Sequence, residues 1–119
     1  MGITDNNIEV LSKLLDLTSV KNKAIANNIA NVNTPGYRKL EVTFQEELRE
    51  AVKSKNVEKI NNVGEEIAFS KNAIIRKNGS NVDMDIELVE FFKSSDKHSI
   101  CLEILSKKFK SIISAIQGR

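Results

Sequence analysis

The sequence predicts a mainly α-helical fold: two long amphipathic helices, one near each end of the chain, packed as an antiparallel, coiled-coil-like hairpin. Two apolar seams with alternating three- and four-residue spacing predict it. One is Ile8, Leu11, Leu15, Thr18, Asn22, Ile25, Ile29 and Val32; the other is Leu88, Phe91, Ser95, His98, Leu102, Leu105, Phe109, Ile112 and Ile116. The third observation is composition. Aromatic residues make up 5% of 119 residues and tryptophan is absent, so a core must come mostly from Ile, Leu and Val, which suits helix-on-helix packing. A chain of this size is expected to form a single domain over 1–119.

The first helix is expected over 6–32, with Glu9 and Lys13 forming a favourably oriented i,i+4 pair. It has to stop near Asn33, because Pro35 pushes Thr34 out of the α region. Thr34-Pro35-Gly36-Tyr37 then forms a tight turn and leads into an extended segment reaching residue 42: proline presets φ, and glycine accepts the positive φ that a type II turn demands. Thr43-Phe44-Gln45-Glu46 has the capping-box pattern and opens a short helix over 43–53, with Phe44, Leu48 and Val52 on one face. Residues 54–82 form a variable middle that is irregular, partly β or disordered. Val57, Ile60 and Ile67 fit one helix face and Ile74-Ile75 a short strand, but Asn56, Asn61, Asn62 and Gly64 weaken the helical pattern. Asn78-Gly79-Ser80-Asn81 reads as a turn, and Asp83 as the N-cap of a last helix over 83–117. Its first turns carry Asp85, Glu87 and Glu90, and its end carries Lys107, Lys108 and Lys110, the polarity that a helix dipole favours. At 1.5 Å per residue the two long helices should measure about 40 and about 50 Å.

A helix pair cannot cover all of its apolar surface. Leu14 and Leu17 flank the first seam, and Ile86, Phe92, Ile104 and Ile113 flank the last. Isolated exposed apolar residues mean little, but whole rows mark partner surfaces. The expected assembly surface comprises Ile8, Leu11, Leu15, Ile25, Asn27, Asn28, Ile29, Asn31 and Asn33 from the first helix and its end, with Leu88, Phe91, Leu102, Leu105, Phe109, Ile112 and Ile116 from the last.

Chemistry finds little purchase. A net charge of +2, with both signs interspersed, lacks the one-sided basic face of a nucleic-acid binder. The single cysteine cannot close an internal disulfide. His98 and Cys101 are too few to hold zinc; the histidine is expected to be a hydrogen-bonded polar step in the seam, and the cysteine a small apolar side chain. Asp83, Asp85 and Glu87 lack the glycine and terminal glutamate of a calcium loop, and there is no phosphate-binding or dinucleotide fingerprint. No catalytic, metal or cofactor site and no small-molecule substrate is therefore expected. No run approaches the roughly 20 apolar residues that span a bilayer. The first residues do not lead from a basic region into an apolar stretch, so export would need a route that reads no cleaved signal peptide.

The distinctive string is Ala26-Asn27-Asn28-Ile29-Ala30-Asn31-Val32-Asn33-Thr34-Pro35-Gly36-Tyr37, with four asparagines in seven positions at a helix end. Asparagine is a mediocre helix former, so propensity does not account for the choice. The string resembles the signature shared by flagellar rod, hook and related axial proteins. Shortness, Val42-Thr43-Phe44 with Leu48, and the segment over 76–85 resemble the members at the proximal end of the rod. The likeness covers about 8–53 and 76–117, and departs from the family pattern at 78–80 and at His98-Ser99. It implies a non-enzymatic structural subunit of the bacterial flagellar basal-body rod that transmits torque by helix packing. It further implies export through the flagellar type III apparatus, a place in the periplasmic rod, and partners among other rod proteins and the adaptor protein FliE. The competing expectation is a small cytoplasmic helical adaptor or export chaperone that uses the same seams.

Overall fold

The computed structural model describes residues 5–64, 66–69 and 82–118. The expected strand at Ile74-Ile75 and turn at 78–81 lie outside the described residues. The elements are α1 (Asp5–Ala30), β1 (Leu40–Thr43), α2 (Gln45–Ser54), α3 (Val57–Asn61), β2 (Glu66–Phe69) and α4 (Met84–Ile116). The two long helices form the expected hairpin: Thr18 faces His98 and Asn28 faces Glu87, so α1 and α4 run antiparallel. The molecule is correspondingly elongated, with extents of 63 × 27 × 14 Å.

The first helix ends at Ala30, earlier than Pro35 alone requires. The Asn31 N–H is shared between the Asn27 and Asn28 carbonyls at 3.2 Å each, and Val32 N–H bonds to Ile29 O at 3.2 Å. This tightening to i→i+3 bonds winds the helix down. Gly36 follows at φ +76°, with Tyr37 N–H on Thr34 O at 3.2 Å; glycine occupies this left-handed position without a Cβ penalty. Leu40–Thr43 then pairs antiparallel with Glu66–Phe69 in the register Leu40↔Phe69, Val42↔Ile67. Ile67 thus belongs to a strand, not to the helix face suggested by its spacing from Val57 and Ile60.

Two helix starts differ in kind. Thr43 does not cap α2: it is the last residue of β1, and the cap position falls on Phe44, which makes no side-chain cap bond. Thr43 is committed to the strand ladder, and burial of Phe44 at 5% exposure anchors the helix start in place of a capping box. Asn56 caps α3 through its side chain, which accepts from Glu58 N–H at 2.9 Å. The asparagine that weakened a long helical reading is what starts a short one. Asp83 caps α4 by accepting from Asp85 N–H at 3.0 Å.

The main core is not the hairpin seam. Leu17 and Ala24 of α1 pack with Val42 and Phe44, with Leu48 and Ala51 of α2, and with Ile60 and Val63 around α3. Leu14 and Val10 pack against the same cluster. The row that was expected to await a partner, Leu14 and Leu17, is therefore sealed by the chain's own middle segment. Its period showed it had to be buried but could not show by what. Phe44 and Leu48 are buried as expected, but Val52 remains 39% exposed and Ala51 takes the inward position in its place.

The last helix is rotated relative to its predicted seam. Glu87, Ser94, Cys101 and Leu105 are buried, whereas Leu88 is 38% exposed, Leu102 54% and Phe109 48%. Phe91, His98 and Ile112 are half-buried, as a seam through those positions requires. The inward heptad row is Glu87, Ser94, Cys101 and the half-buried Lys108, whereas the larger apolar Leu88, Leu102 and Phe109 stand one position after three of them. Polar residues face α1 where α1 itself presents Thr18 and Asn28, each matched by a side chain that can hydrogen bond.

Candidate assembly surface and its buried anchor

The asparagine-rich string folds into a polar anchor that ties the helix ends to the turn. Asn28 is fully buried, at 0% exposure. Its Nδ2 donates to Leu40 O at 2.9 Å and its Oδ1 accepts from Leu40 N–H at 3.0 Å, so one amide pairs with both backbone groups of the first β1 residue. The same Oδ1 accepts from the Tyr37 hydroxyl at 2.8 Å, and Nδ2 reaches Glu87 Oε1 at 3.4 Å. All four hydrogen-bonding capacities of the amide are engaged, and no other side chain of its size supplies two donors and two acceptors there.

Asn27 donates through Nδ2 to the Tyr37 hydroxyl at 2.8 Å. Asn31 donates to Asn27 O at 2.8 Å and accepts from the Thr34 hydroxyl at 3.0 Å, closing the turn onto the helix end. Three of the four asparagines thus have distinct local partners, and Asn33 is exposed. Burial raises the Tyr37 phenol above its ordinary value; the bond from Asn27 opposes this and the Glu87 charge adds to it.

Glu87, on the first turn of α4, is 1% exposed and ion-paired with Lys39 at 3.0 Å. A carboxylate this deep would be prohibitively costly without the lysine and the Asn28 amide. Lys39 and Glu87 were not singled out as a pair by sequence reasoning, which assigned Glu87 to the helix dipole. The available signal was an acidic residue on the inward heptad row.

Farther along the hairpin, His98 Nδ1 lies 2.9 Å from Thr18 Oγ1. The threonine hydroxyl also lies 2.8 Å from Leu14 O, and the histidine tautomer sets which member of the Thr18–His98 pair donates. This is the hydrogen-bonded polar step its position in the seam implied. Cys101 is buried, and burial pushes its thiol above the ordinary range, as for a packed rather than reactive cysteine. Midway between these polar pairs, Asn22 Oδ1 and Ser94 Oγ are buried without a partner. Among the described residues no group of three or more His, Cys, Asp or Glu is placed to hold a metal ion.

The residues expected to form an assembly surface divide into three groups. Ile25, Asn28 and Leu105 are buried inside the chain. Ile8, Leu11, Leu15, Ile29, Asn31, Phe91 and Ile112 are half-buried. Asn27, Asn33, Leu88, Leu102, Phe109 and Ile116 are exposed, Ile116 at 79%. Sequence reasoning missed Val89 at 50% and Ile100 at 55%; with Ile86, Phe92, Ile104 and Ile113, all between 41% and 63%, they add a large apolar share to the outer face of α4. A groove of about 510 Å³ opens beside it, with Leu14, Phe44, Leu48 and Cys101 among its lining and Val52 and Ile100 beside the cations Arg49, Lys53 and Lys97. Exposed apolar patches of this kind are a general mark of surfaces that meet other proteins.

Comparison with known proteins gives this surface a context. The model of a family described as flagella basal body rod protein matches residues 15–38, which include the asparagine-rich string. The chain is 29% identical over 129 aligned positions to the flagellar basal body rod protein FlgB of Bacillus subtilis (strain 168), covering 99% of this chain and 98% of that protein. It is 27% identical to the protein of the same name from Borrelia hermsii, over 94% of this chain and 96% of the relative. The protein of that name from Salmonella typhimurium (strain LT2) is 24% identical, over 96% and 95% respectively.

Proposed function

We infer that this chain, which belongs to the family of flagellar basal body rod proteins, serves as a structural subunit of the bacterial flagellar basal-body rod and assembles there with other rod components. The observation that carries the reading is the outer face of α4: an exposed row of large apolar side chains on a chain that matches rod proteins from end to end. The family is one of structural proteins rather than enzymes. Nothing in the fold or among the relatives favours an adaptor or export chaperone.

Several finer points extend this reading. The subunit leaves the cell interior unfolded through the flagellar type III apparatus, without a cleaved signal peptide, and takes its place in the periplasmic rod beside the adaptor protein FliE. Three features support that route. Among the described residues no helix is long and apolar enough to cross a membrane. The lone cysteine places no internal disulfide in the way of threading. A fold held by a modest core and a partly polar hairpin opens at low cost. Once assembled, the long helices transmit torque by close packing. Ile8, Leu11, Leu15, Leu88, Leu102, Phe109 and Ile116 supply the contacts that remain open in the single chain, and Thr34-Pro35-Gly36-Tyr37 fixes the geometry at the hairpin's end.

Deleting the gene from its host and examining isolated basal bodies tests the reading. The expected result is loss of the rod and of motility, restored by the intact gene; rods of normal composition in the deletion strain would overturn it.

A further inference from the structure

The exposed apolar surface of α4 is not uniform in charge, and its two parts complement each other. On the outward side of its first three turns, Asp85, Val89, Phe92 and Asp96 follow one another at i, i+4, i+7 and i+11, so they form a single ridge along the helix. Val89 is 50% and Phe92 63% exposed, and a carboxylate stands at each end of the pair. About 100° around the same helix lies the groove between α2 and α4. Its apolar floor is walled by Lys53 from α2 and Lys97 from α4, and no carboxylate lines it. Neither lysine is ion-paired among the described residues, whereas Arg49 is engaged by Glu46 at 3.6 Å and Lys93 by Glu90 at 4.0 Å. The groove's 510 Å³ gives room for two side chains of the size of valine and phenylalanine.

We propose that the Asp85–Val89–Phe92–Asp96 ridge of one copy docks in the α2/α4 groove of a second copy, its carboxylates against Lys53 and Lys97. The proposal rests on the rod reading and names the faces through which like subunits meet. Ridge and groove are different patches of one surface, so the contact is heterologous and leaves a free ridge and a free groove at the two ends, which is the geometry of a growing filament. Burial of Val89 and Phe92 drives the association, and the charges fix its register and orientation.

Self-association of the purified full-length chain, followed by sedimentation velocity at low salt, tests the pairing. Lys53→Glu with Lys97→Glu should weaken association at least about tenfold, and Asp85→Lys with Asp96→Lys should do the same, since like charges then face each other. All four groups are exposed, so circular dichroism should confirm that each variant keeps the native helical content. The decisive variant carries all four reversals: it regenerates the complementary pairing and should recover association to within a few-fold of the parent. Association unchanged by either pair of reversals, or a fourfold variant as weak as the twofold ones, would overturn the proposal. If both reversals abolish motility but leave self-association intact, the groove serves a different rod component; the pairing then fails while the rod reading stands. If association follows the charges but the deletion strain still builds rods, the rod reading fails instead.

Discussion

Asn28 shows how much one side chain can organise. Removing its amide strands both backbone groups of Leu40, the Tyr37 hydroxyl and one face of a buried carboxylate. Each unsatisfied buried group costs on the order of 1–3 kcal/mol, with partial relief from entering water. Asn28→Ala should therefore destabilise the folded chain by about 2–4 kcal/mol in urea unfolding, well above the cost of Asn33→Ala at an exposed position. Equal effects of the two would show that the anchor is not a stability element. Tyr37 gives the same network a pH signature. Its phenol is raised in the folded state, chiefly by burial, so folding favours the protonated form. That contribution is complete below the ordinary phenol value near 10 and is lost as pH rises through the folded value. Tyr37→Phe should cost about 1 kcal/mol at neutral pH, and the gap between the two proteins should narrow above about pH 10. A gap that widens with alkaline pH would contradict the assignment.

At the scale of the element, α4 is a helix whose strongest apolar residues do not face its own fold. The hairpin interface instead contains Thr18 against His98, Asn28 against Glu87 and, between them, Asn22 and Ser94 with unpartnered oxygens. Polar steps in a helix seam fix register at a cost in stability. An unpartnered hydroxyl in such a layer adds cost without a compensating bond, so Ser94→Ala should raise the unfolding free energy by about 1 kcal/mol. A loss of similar size would mean that the hydroxyl finds a partner within the interface. The same comparison explains why a seam drawn from the sequence missed the orientation of α4. Hydrophobic periodicity locates a stripe to within one residue, and here Leu88, Leu102 and Phe109 stand one place after Glu87, Cys101 and Lys108. The choice between the two rows was settled by hydrogen-bonding partners contributed by α1 and the turn, which lie some sixty to eighty positions away in sequence.

The whole molecule is an elongated body with one sealed flank and one open one. Its α1 flank is closed by α2, α3 and β1, and its outer α4 flank is apolar and exposed. That asymmetry separates folding from assembly in a measurable way. Leu105 is 9% exposed and Leu102 54%. Leu105→Asp buries an unpaired charge and should destabilise the isolated chain by more than about 3 kcal/mol. Leu102→Asp should leave its unfolding within about 0.5 kcal/mol of the parent while abolishing motility and rod formation. Normal motility in a Leu102→Asp strain would remove Leu102 from the contact surface.

Two long helices, the stop before Pro35, the positive φ at Gly36, the Asp83 cap and the polar step at His98 were all legible in the sequence, because each follows from bonding within about one helical turn or from a repeat carried over many turns. So was the resemblance to flagellar rod proteins, through a string three of whose four asparagines have individual partners. What only the tertiary structure decided depends on contacts between distant segments. Leu14 and Leu17 are covered by the middle of the chain, Thr43 is claimed by a strand rather than a cap, Lys39 neutralises Glu87, and α4 turns its small and polar row inward. Local sequence sets which surfaces must be buried; which surface buries them is a property of the folded chain, since burial is non-directional and the hydrogen bonds that choose among equivalent faces are long-range.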